Sequence, residues 1–254
     1  MSKDIYAKLW NNAATDSLIP EILESVSAYE AILHSLRNRF FYESMKYFFE
    51  NNKGGTLINF GSGFSMYQFL MNDNVSTIEI DKKDIIDYKK KKIDQWIQEE
   101  KLPNRDILYV SIDFNTLSEE EIIQSLKPLI KKEPVFILLE GVLFFLDQQT
   151  TKKLFKVFQN LQQPGDIVGS VSYLPEIETT EVYKRLLHYF DSHNDTNDSF
   201  SHQTISNSYY ENIDGYILKE HVDEYNLAKT YASEFSIKDK NQILNEHMYL
   251  LEKD

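Results

Sequence analysis

Residues 56–70 read TLINFGSGFSMYQFL, an apolar β-type run followed by Gly61, Gly63 and a segment of helical character. These are two of only eight glycines in the chain, so their spacing of one residue is notable. Glycine permits a positive φ and a close approach of the backbone to another group. The stretch therefore predicts a strand, a tight turn and a helix. A third glycine, which would complete the G-x-G-x-x-G fingerprint for dinucleotides, is absent.

Outward from this turn, apolar strand-type runs alternate with amphipathic helix-type runs. The predicted strands are Leu57–Phe60, Val75–Ile80, Ile107–Val110, Val135–Leu139, Ile167–Tyr173, Tyr216–Val222 and His247–Leu251. The predicted helices between the first five are Ser65–Met71, Asp84–Lys101, Ser118–Lys131 and Gln148–Leu161. Near-continuous apolar strands in β-α-β order are typical of a parallel sheet covered on both faces. The fold class is therefore α/β, a doubly wound and mostly parallel, Rossmann-like sheet with an antiparallel last strand.

Both ends of the chain depart from this alternation. Pro20–Asn51 has apolar residues at helical spacing and predicts a helical N-terminal cap. Asp191–Ser208 is rich in Asp, Asn and Ser, which predicts a mobile loop. The lysine-rich segment Lys82–Lys92 predicts a solvated helix face, with neighbouring apolar residues turned inward.

Composition excludes several functional classes. The net charge of −13 argues against a nucleic-acid partner, which normally needs a basic surface. The chain has 0 cysteines, so thiolate chemistry and thiolate metal sites are excluded, and no metal site is predicted. The N-terminus has no apolar signal region, and the most apolar run, Val135–Leu146, is too short to span a bilayer. These features predict a cytoplasmic protein without a membrane partner.

Acidic residues follow or interrupt three of the predicted strands after the glycine turn. Asp81 lies 18 residues after Gly63 at the end of the second strand, where a carboxylate typically accepts hydrogen bonds from a ribose. Asp113 follows the third strand, and Glu140 interrupts the apolar fourth segment. A carboxylate in such an apolar segment needs a compensating partner. That partner is a bound cation or ammonium group, or an internal Arg or Lys.

Taken in order, six motifs resemble the leucine carboxyl methyltransferase family of class I S-adenosylmethionine-dependent enzymes, and in particular its bacterial small-molecule O-methyltransferase branch. RNRFFYES, from Arg37, resembles the family's Arg-x-Arg-Phe-Phe-Asp helix, and NFGSGFSMYQF resembles its glycine loop. IEIDKKDIIDYK resembles Glu-Val-Asp-x-Pro, VSIDF resembles Val-Pro-Val-Asp-Leu, and LLEGVLFFL resembles Glu-Gly-x-Leu-x-Tyr-Leu. QPGD resembles the turn before the fifth strand. The matches extend from Arg37 to Tyr173.

The resemblance implies that S-adenosylmethionine is the cofactor and that eight residues bind it: Arg37, Gly61, Gly63, Glu79, Asp81, Asp113, Phe114 and Glu140. It implies that Asp81 binds the ribose hydroxyls and that Glu79 supports this interaction. It implies that Asp113 accepts a hydrogen bond from the adenine amino group and that Phe114 packs on the adenine ring.

The same resemblance places the methionyl part of the cofactor against Gly61 and Gly63. Arg37 would pair with its carboxylate and Glu140 would face its amino group. It also implies a single domain, residues 1–254, with a helical cap (1–52), a cofactor-binding core (53–174), a lid and substrate region (175–212) and a C-terminal strand–helix–strand unit (213–254).

The chain departs from the family pattern at several positions. Ser65, Met66 and Tyr67 replace the Asp-Thr-Arg of the glycine loop, so we expect polar contacts of that loop to be lost. Lys83 replaces the proline after the ribose acid, and Tyr42 replaces the Asp of the Phe-Phe-Asp helix.

The predicted function is O-methylation of a carboxylate or hydroxyl on a small molecule of secondary metabolism. A peptide or protein C-terminal carboxylate is the alternative acceptor. A dinucleotide-binding oxidoreductase and a catalytically silent methyltransferase-like binding protein also stay open. A hydroxyl acceptor would benefit from a general base, for which His188, His193 and His202 are candidates, whereas a carboxylate is already ionised near neutral pH.

Overall fold

The computed structural model describes residues 2–193 and 201–254. Within them, seven strands form one sheet in the order β3-β2-β1-β4-β5-β7-β6. The strands are β1 (Gly55–Phe60), β2 (Val75–Asp81), β3 (Ile107–Ser111), β4 (Val135–Leu139), β5 (Ile167–Ser172), β6 (Tyr216–Asp223) and β7 (His247–Lys253). The pairs among β1 to β5 are parallel, and β7 runs antiparallel to both β5 and β6. The predicted fold class, including the antiparallel last strand, is confirmed.

The helices are α1 (Ala13–Ser25), α2 (Glu30–Asn52), α3 (Tyr67–Leu70), α4 (Lys83–Gln98), α5 (Glu119–Leu126), α6 (Gln148–Leu161), α7 (Glu181–Ser192), α8 (Asn207–Glu211) and α9 (Glu224–Tyr231). One face of the sheet packs against α5, α6 and α8, and the other packs against α2 and α3. Every residue of β1 and β4 is buried, because both faces of these central strands are covered. None of the described helices is long and apolar enough to span a bilayer.

The helical prediction for Pro20–Asn51 is wrong at one point, because the structure has two helices there. The chain turns at Ser27, whose hydroxyl accepts a hydrogen bond from the backbone N–H of Tyr29 at 3.2 Å. Arg185 of α7 donates to the carbonyl of Val26 at 2.8 Å and fixes the end of α1. The predicted start of α5 is confirmed, since Ser118 and Glu121 form a reciprocal capping box.

The predicted mobile loop Asp191–Ser208 includes residues 194–200, which lie outside the described residues. The rest of it does not fit that expectation. Gln203 donates to the carbonyl of Leu143 at 2.7 Å and to the hydroxyl of Thr151 at 2.6 Å. Ile205 is buried and donates from its backbone N–H to the carbonyl of Tyr173. These contacts fix the segment that precedes α8. They do not test whether the segment acts as a lid, so that role stays a prediction.

Candidate functional site

The candidate site lies at the carboxyl edge of the parallel strands. Because β3, β2, β1 and β4 are adjacent and parallel, the residues that follow them are brought to one edge. Gly61 follows β1, Asp81 ends β2, and Asp113 and Glu140 come after β3 and β4. The structure therefore gathers the strand-end residues that the sequence predicted.

The glycine turn after β1 requires its two glycines for different reasons. Gly61 has a φ of +65°, and a Cβ built there would lie 2.2 Å from Cγ2 of Val142. Gly63 has a φ of +44°, yet no atom lies within 4 Å of a Cβ built there, so this side of the turn is open. Gly61 thus allows close packing against the β4 edge, whereas Gly63 leaves a space beside the backbone.

Asp81 is oriented by the backbone on both sides. Its Oδ2 accepts a hydrogen bond from the N–H of Gly63 at 2.8 Å, and its Oδ1 accepts one from the N–H of Lys82 at 2.7 Å. A carboxylate oxygen can accept two hydrogen bonds, so each oxygen keeps a further lone pair. The half-buried side chain is held in a fixed orientation next to the open side of the glycine turn.

Glu79 and Lys89 form a buried ion pair beneath the turn. Both side chains are 0% exposed, and Nζ of Lys89 lies 2.6 Å from Oε2 of Glu79. Lys89 also donates to the carbonyl of Ser62 at 3.2 Å, while Asn59 donates to Glu79 at 3.4 Å. The prediction that the lysine run is a solvated face is wrong at Lys89. Because Glu79 has no exposed surface, its place in this structure is to support the turn rather than to touch a ligand.

The adenine side of the predicted site is formed by the turn after β3. Oδ1 of half-buried Asp113 accepts the backbone N–H of Asn115 at 2.9 Å. Phe114 is 8% exposed, and its ring lies 5.5 Å from that of Phe60. Lys153 of α6 donates to the carbonyls of Phe114 and Leu117 and so fixes this turn.

Arg37 of α2 reaches the edge from the other side and joins two carboxylates. Its Nε lies 2.8 Å from Oε1 of Glu140, and its Nη1 donates to Oε2 of Glu246, just before β7. Burial opposes the charge on Arg37, but Glu246 and Glu140 together raise its pKa well above the usual value. Glu140 therefore has an internal arginine as its partner, and its bond and that of Glu246 engage Nε and Nη1 of the guanidinium.

The expected loss of polar contacts in the glycine loop is wrong, because the replacing residues Ser65 and Tyr67 make polar contacts of their own. The hydroxyl of Tyr67, which is fully buried, donates to Oε2 of Glu140 at 2.7 Å. Ser65 donates to the carbonyl of Ser62 at 2.9 Å and accepts from Asn59 at 2.8 Å. Burial and the nearby Glu140 raise the pKa of Tyr67 well above its usual value, so this hydroxyl keeps its proton.

The N-terminal residues pack over the outside of the glycine turn. The ring of Trp10 lies 4.7 Å from that of Phe64, which follows Gly63, and 4.6 Å from that of Trp96 in α4. Tyr6 packs on Phe69 with its ring centroid 5.9 Å away. These contacts hold the segment before α1 against the glycine turn, α3 and α4.

The histidines suggested as general bases lie on α7, directly after it, and between α7 and α8. His188 is exposed, and Nδ1 of His193 donates a hydrogen bond to the carbonyl of Tyr189 at 2.8 Å. The ring of His202 lies 5.7 Å from that of Phe144. A pair that the sequence reasoning missed, His221 and His247, is hydrogen-bonded at 2.8 Å across β6 and β7.

A cavity of about 740 Å³ lies away from this edge, between α2, α9 and one face of the sheet. Its lining includes Arg39, Phe48, Leu227, Tyr231 and Leu250. None of the eight predicted cofactor residues is among the described residues that line it. The predicted cofactor residues and this cavity are thus separate features of the molecule.

Comparison with solved structures identifies the fold class. A candidate methyltransferase from Thermobifida fusca YX superposes with a TM-score of 0.68 at 10% identity, covering 98% of this chain and 94% of that one. A DUF574 family protein from Streptomyces avermitilis MA-4680 gives 0.61 at 10% identity, covering 86% and 83%. The N-methyltransferase NodS from Bradyrhizobium japonicum WM9, solved with S-adenosyl-L-homocysteine, gives 0.51 at 9% identity, covering 85% and 87%. The fold is that of class I methyltransferases.

The sequence profile of the leucine carboxyl methyltransferase family matches residues 12–159, more than half of the chain. The chain therefore belongs to the leucine carboxyl methyltransferase family, as the motifs predicted. No curated protein sequence gives a significant match.

Proposed function

We propose that this chain binds S-adenosylmethionine at the carboxyl edge of β1–β4 and transfers its methyl group to an oxygen of a small molecule. The observation that carries the proposal is the arrangement of Asp81 beside the open glycine turn, on the same edge as the pair of Arg37 and Glu140. The family assignment supports the reaction class. It does not support the alternative of a dinucleotide-dependent oxidoreductase, which we set aside.

The residues present fit the nucleoside part of this cofactor. Asp81 has a lone pair free on each oxygen for a pair of ribose hydroxyls, which is the role proposed for it. The space beside Gly63 admits a group next to the backbone without a clash. Asp113 and Phe114 are proposed to accept from the adenine amino group and to pack on the ring, respectively.

The residues also fit the amino-acid part. An amino acid carries its carboxylate and its ammonium on one carbon, so complementary groups must be adjacent. Arg37 and Glu140 are 2.8 Å apart, and Arg37 retains N–H groups that are directed to neither Glu140 nor Glu246. We propose that Arg37 binds the carboxylate and that Glu140 binds the ammonium group.

The bound cofactor would supply a methyl group on a positively charged sulfur, which is a good leaving group. The protein would then hold the acceptor in line with that methyl group and exclude water, and these two effects carry most of the catalysis. A carboxylate acceptor needs no general base near neutral pH. This favours an acid as the acceptor, with a peptide C-terminal carboxylate as the second candidate.

The test is isothermal titration calorimetry with S-adenosylmethionine, followed by mass spectrometry of reaction products. We expect Asp81→Ala to weaken binding about tenfold or more, since hydrogen bonds to a charged acceptor contribute about 1.5–3 kcal/mol. Asp94→Ala, on the exposed face of α4, is the matched control and should bind as the wild type does. Unchanged affinity in Asp81→Ala would refute the ribose assignment. Cofactor binding without turnover on any acid or alcohol would favour the catalytically silent binding protein.

A further inference from the structure

Four carboxylates surround the single guanidinium of Arg37 at one end of the candidate site. Glu140 and Glu246 bond to it directly. Glu30, the first residue of α2, and Glu224, the first residue of α9, complete the group, which we call the acidic cluster. Oε2 of Glu224 accepts the backbone N–H of Glu246 at 3.2 Å, and the charges of Glu30, Glu224 and Glu246 act on one another.

One oxygen of each outer carboxylate has no hydrogen-bond partner among the described residues. These are Oε1 of Glu30 and Oε1 of Glu224, whose residues are 6% and 1% exposed. An uncompensated carboxylate is costly to bury, and buried acceptors are normally hydrogen-bonded. Burial, and then the charge of Glu246, raise the pKa of both groups, that of Glu30 to about 8. Two defined oxygens of the cluster therefore lack hydrogen-bond donors, and one guanidinium is placed among four acidic side chains.

Glu246 and Glu224 of the acidic cluster lie beyond the residues assigned to the cofactor, which include Glu140. In the strand order, β3, β2, β1 and β4 carry the proposed adenine, ribose and methionyl contacts. Glu246 precedes β7, which lies two strands beyond β4, and Glu224 begins the helix that follows β6. Tyr173, at the end of β5, is close enough that burial, Glu246 and Glu30 together raise its pKa. This position is next to the proposed methionyl end, where an acceptor must lie.

We propose that the acidic cluster binds a protonated amine of the methyl acceptor, with Glu30 and Glu224 as the groups that accept its N–H donors. The inference rests on the proposed function, because it treats the cluster as the acceptor side of the site. An ammonium group supplies both the positive charge and several donors. A metal ion is a poorer fit, since no group of three or more His, Cys, Asp or Glu side chains in the described part of the chain is placed to hold one.

The bound ammonium is an anchor and not the methylated atom, because a protonated amine has no lone pair to attack the methyl group. The acceptor class is therefore an amino-bearing acid or alcohol whose oxygen is methylated. Both orphaned oxygens are shielded from solvent, so the surrounding side chains must open to admit the amine. Its ion pairs then form in a site that excludes water, where charged hydrogen bonds are strongest.

The test uses matched probes on protein saturated with S-adenosylhomocysteine. Tyramine, 1,4-diaminobutane and n-butylamine are compared with 4-ethylphenol, 1,4-butanediol and n-butanol, by calorimetry and thermal shift. We expect amines to bind at least about tenfold more tightly than their neutral partners, as charge-assisted hydrogen bonds would give. Glu30→Gln and Glu224→Gln should each remove most of this preference. Glu43→Gln, on the exposed side of α2, is the control and should keep it.

Equal binding of amines and neutral partners, no binding of any amine, or an unchanged preference in both Gln variants would each overturn the proposal. If a variant fails to fold, the wild type still decides, because amine binding should release protons from the cluster. Calorimetry in two buffers of different ionisation enthalpy measures that release, and no release counts against the proposal. Failure to bind S-adenosylhomocysteine would instead defeat the proposed function, and the amine titrations without it would still report on the cluster.

Discussion

The buried pair of Lys89 and Glu79 gives the sharpest stability prediction. Lys89→Met keeps the length and the apolar stem of the side chain but removes its charge. Glu79, which is 0% exposed, then retains only the amide of Asn59 at 3.4 Å as a side-chain donor among the contacts described above. Removing one partner of a buried ion pair costs about 3–5 kcal/mol. Since domains are stable by only about 5–15 kcal/mol, this is a large share of the total.

The assay is urea unfolding at pH 7, followed by circular dichroism, with the midpoint and the slope compared between variants. Lys90→Met is the control. In the wild type, Lys90 and Asp94 form an ion pair with the same 2.6 Å separation, but their side chains are 53% and 47% exposed. Such an exposed helix pair contributes about 0.3–0.5 kcal/mol. The double variant Glu79→Met with Lys89→Met should recover most of the loss, because no charge stays buried.

The reasoning fails if the stability of Lys89→Met is within about 1 kcal/mol of the wild type, since that is the typical effect of any point mutation. It also fails if the double variant is no more stable than the single one. A functional consequence is expected as well. Lys89 donates to the carbonyl of Ser62 inside the glycine turn. Lys89→Met should therefore weaken S-adenosylmethionine binding, whereas Lys90→Met should not.

Three further predictions concern the candidate site. Gly61→Ala should unfold at lower urea than the wild type and bind cofactor poorly, because its Cβ would lie 2.2 Å from Val142. Gly63→Ala should lose only about 1–2 kcal/mol of stability for its left-handed backbone, but it should also weaken cofactor binding because its methyl group would enter the open space beside the turn. Arg37→Ala should weaken S-adenosylmethionine and S-adenosylhomocysteine alike in calorimetry but leave 5′-methylthioadenosine, which has no carboxylate, almost unchanged; equal losses would mean that Arg37 is structural. Burial raises the pKa of Glu30 to about 8. The folded protein therefore keeps a proton that the unfolded chain releases once the pH exceeds 4.5, the ordinary pKa of this carboxyl. Stability should therefore fall between pH 4.5 and 8, and less steeply in Glu30→Gln when unfolding is followed across that range.

The sheet was predictable because its central strands are buried on both faces. An almost continuous apolar run such as Val135–Leu139 has no other common explanation in a β-α-β order, and the structure gives it the predicted bounds. The break between α1 and α2 was not predictable in this way. It depends on the contact of Arg185 with the carbonyl of Val26, and these residues are 159 positions apart.

The sequence analysis missed the roles of Lys89 and Glu246 for different reasons. Lys89 carried a local signal, since it lies three residues after Ile86 and four before Ile93, which places it on the buried face of α4. The run of lysines around it obscured that spacing. Glu246 had no local signal in the sequence, because its partner Arg37 is 209 residues away and only the return of the chain through β7 brings them together. The strand-end residues after β1 to β4 needed no such long-range information.

The departure at Tyr67 connects these observations. Where the family pattern has an arginine, this chain has a phenol that gives Glu140 a hydrogen bond at 2.7 Å but no positive charge. Arg37 is then the cation that Glu140 and Glu246 share, while Glu30 and Glu224 lie close by with unpaired oxygens. A site balanced in this way favours ligands that bring positive charge with them. S-adenosylmethionine would bring it on sulfur, and the proposed amino-bearing acceptor would bring it at the acidic cluster, where Tyr67 supplies a hydrogen bond to Glu140 but no cation.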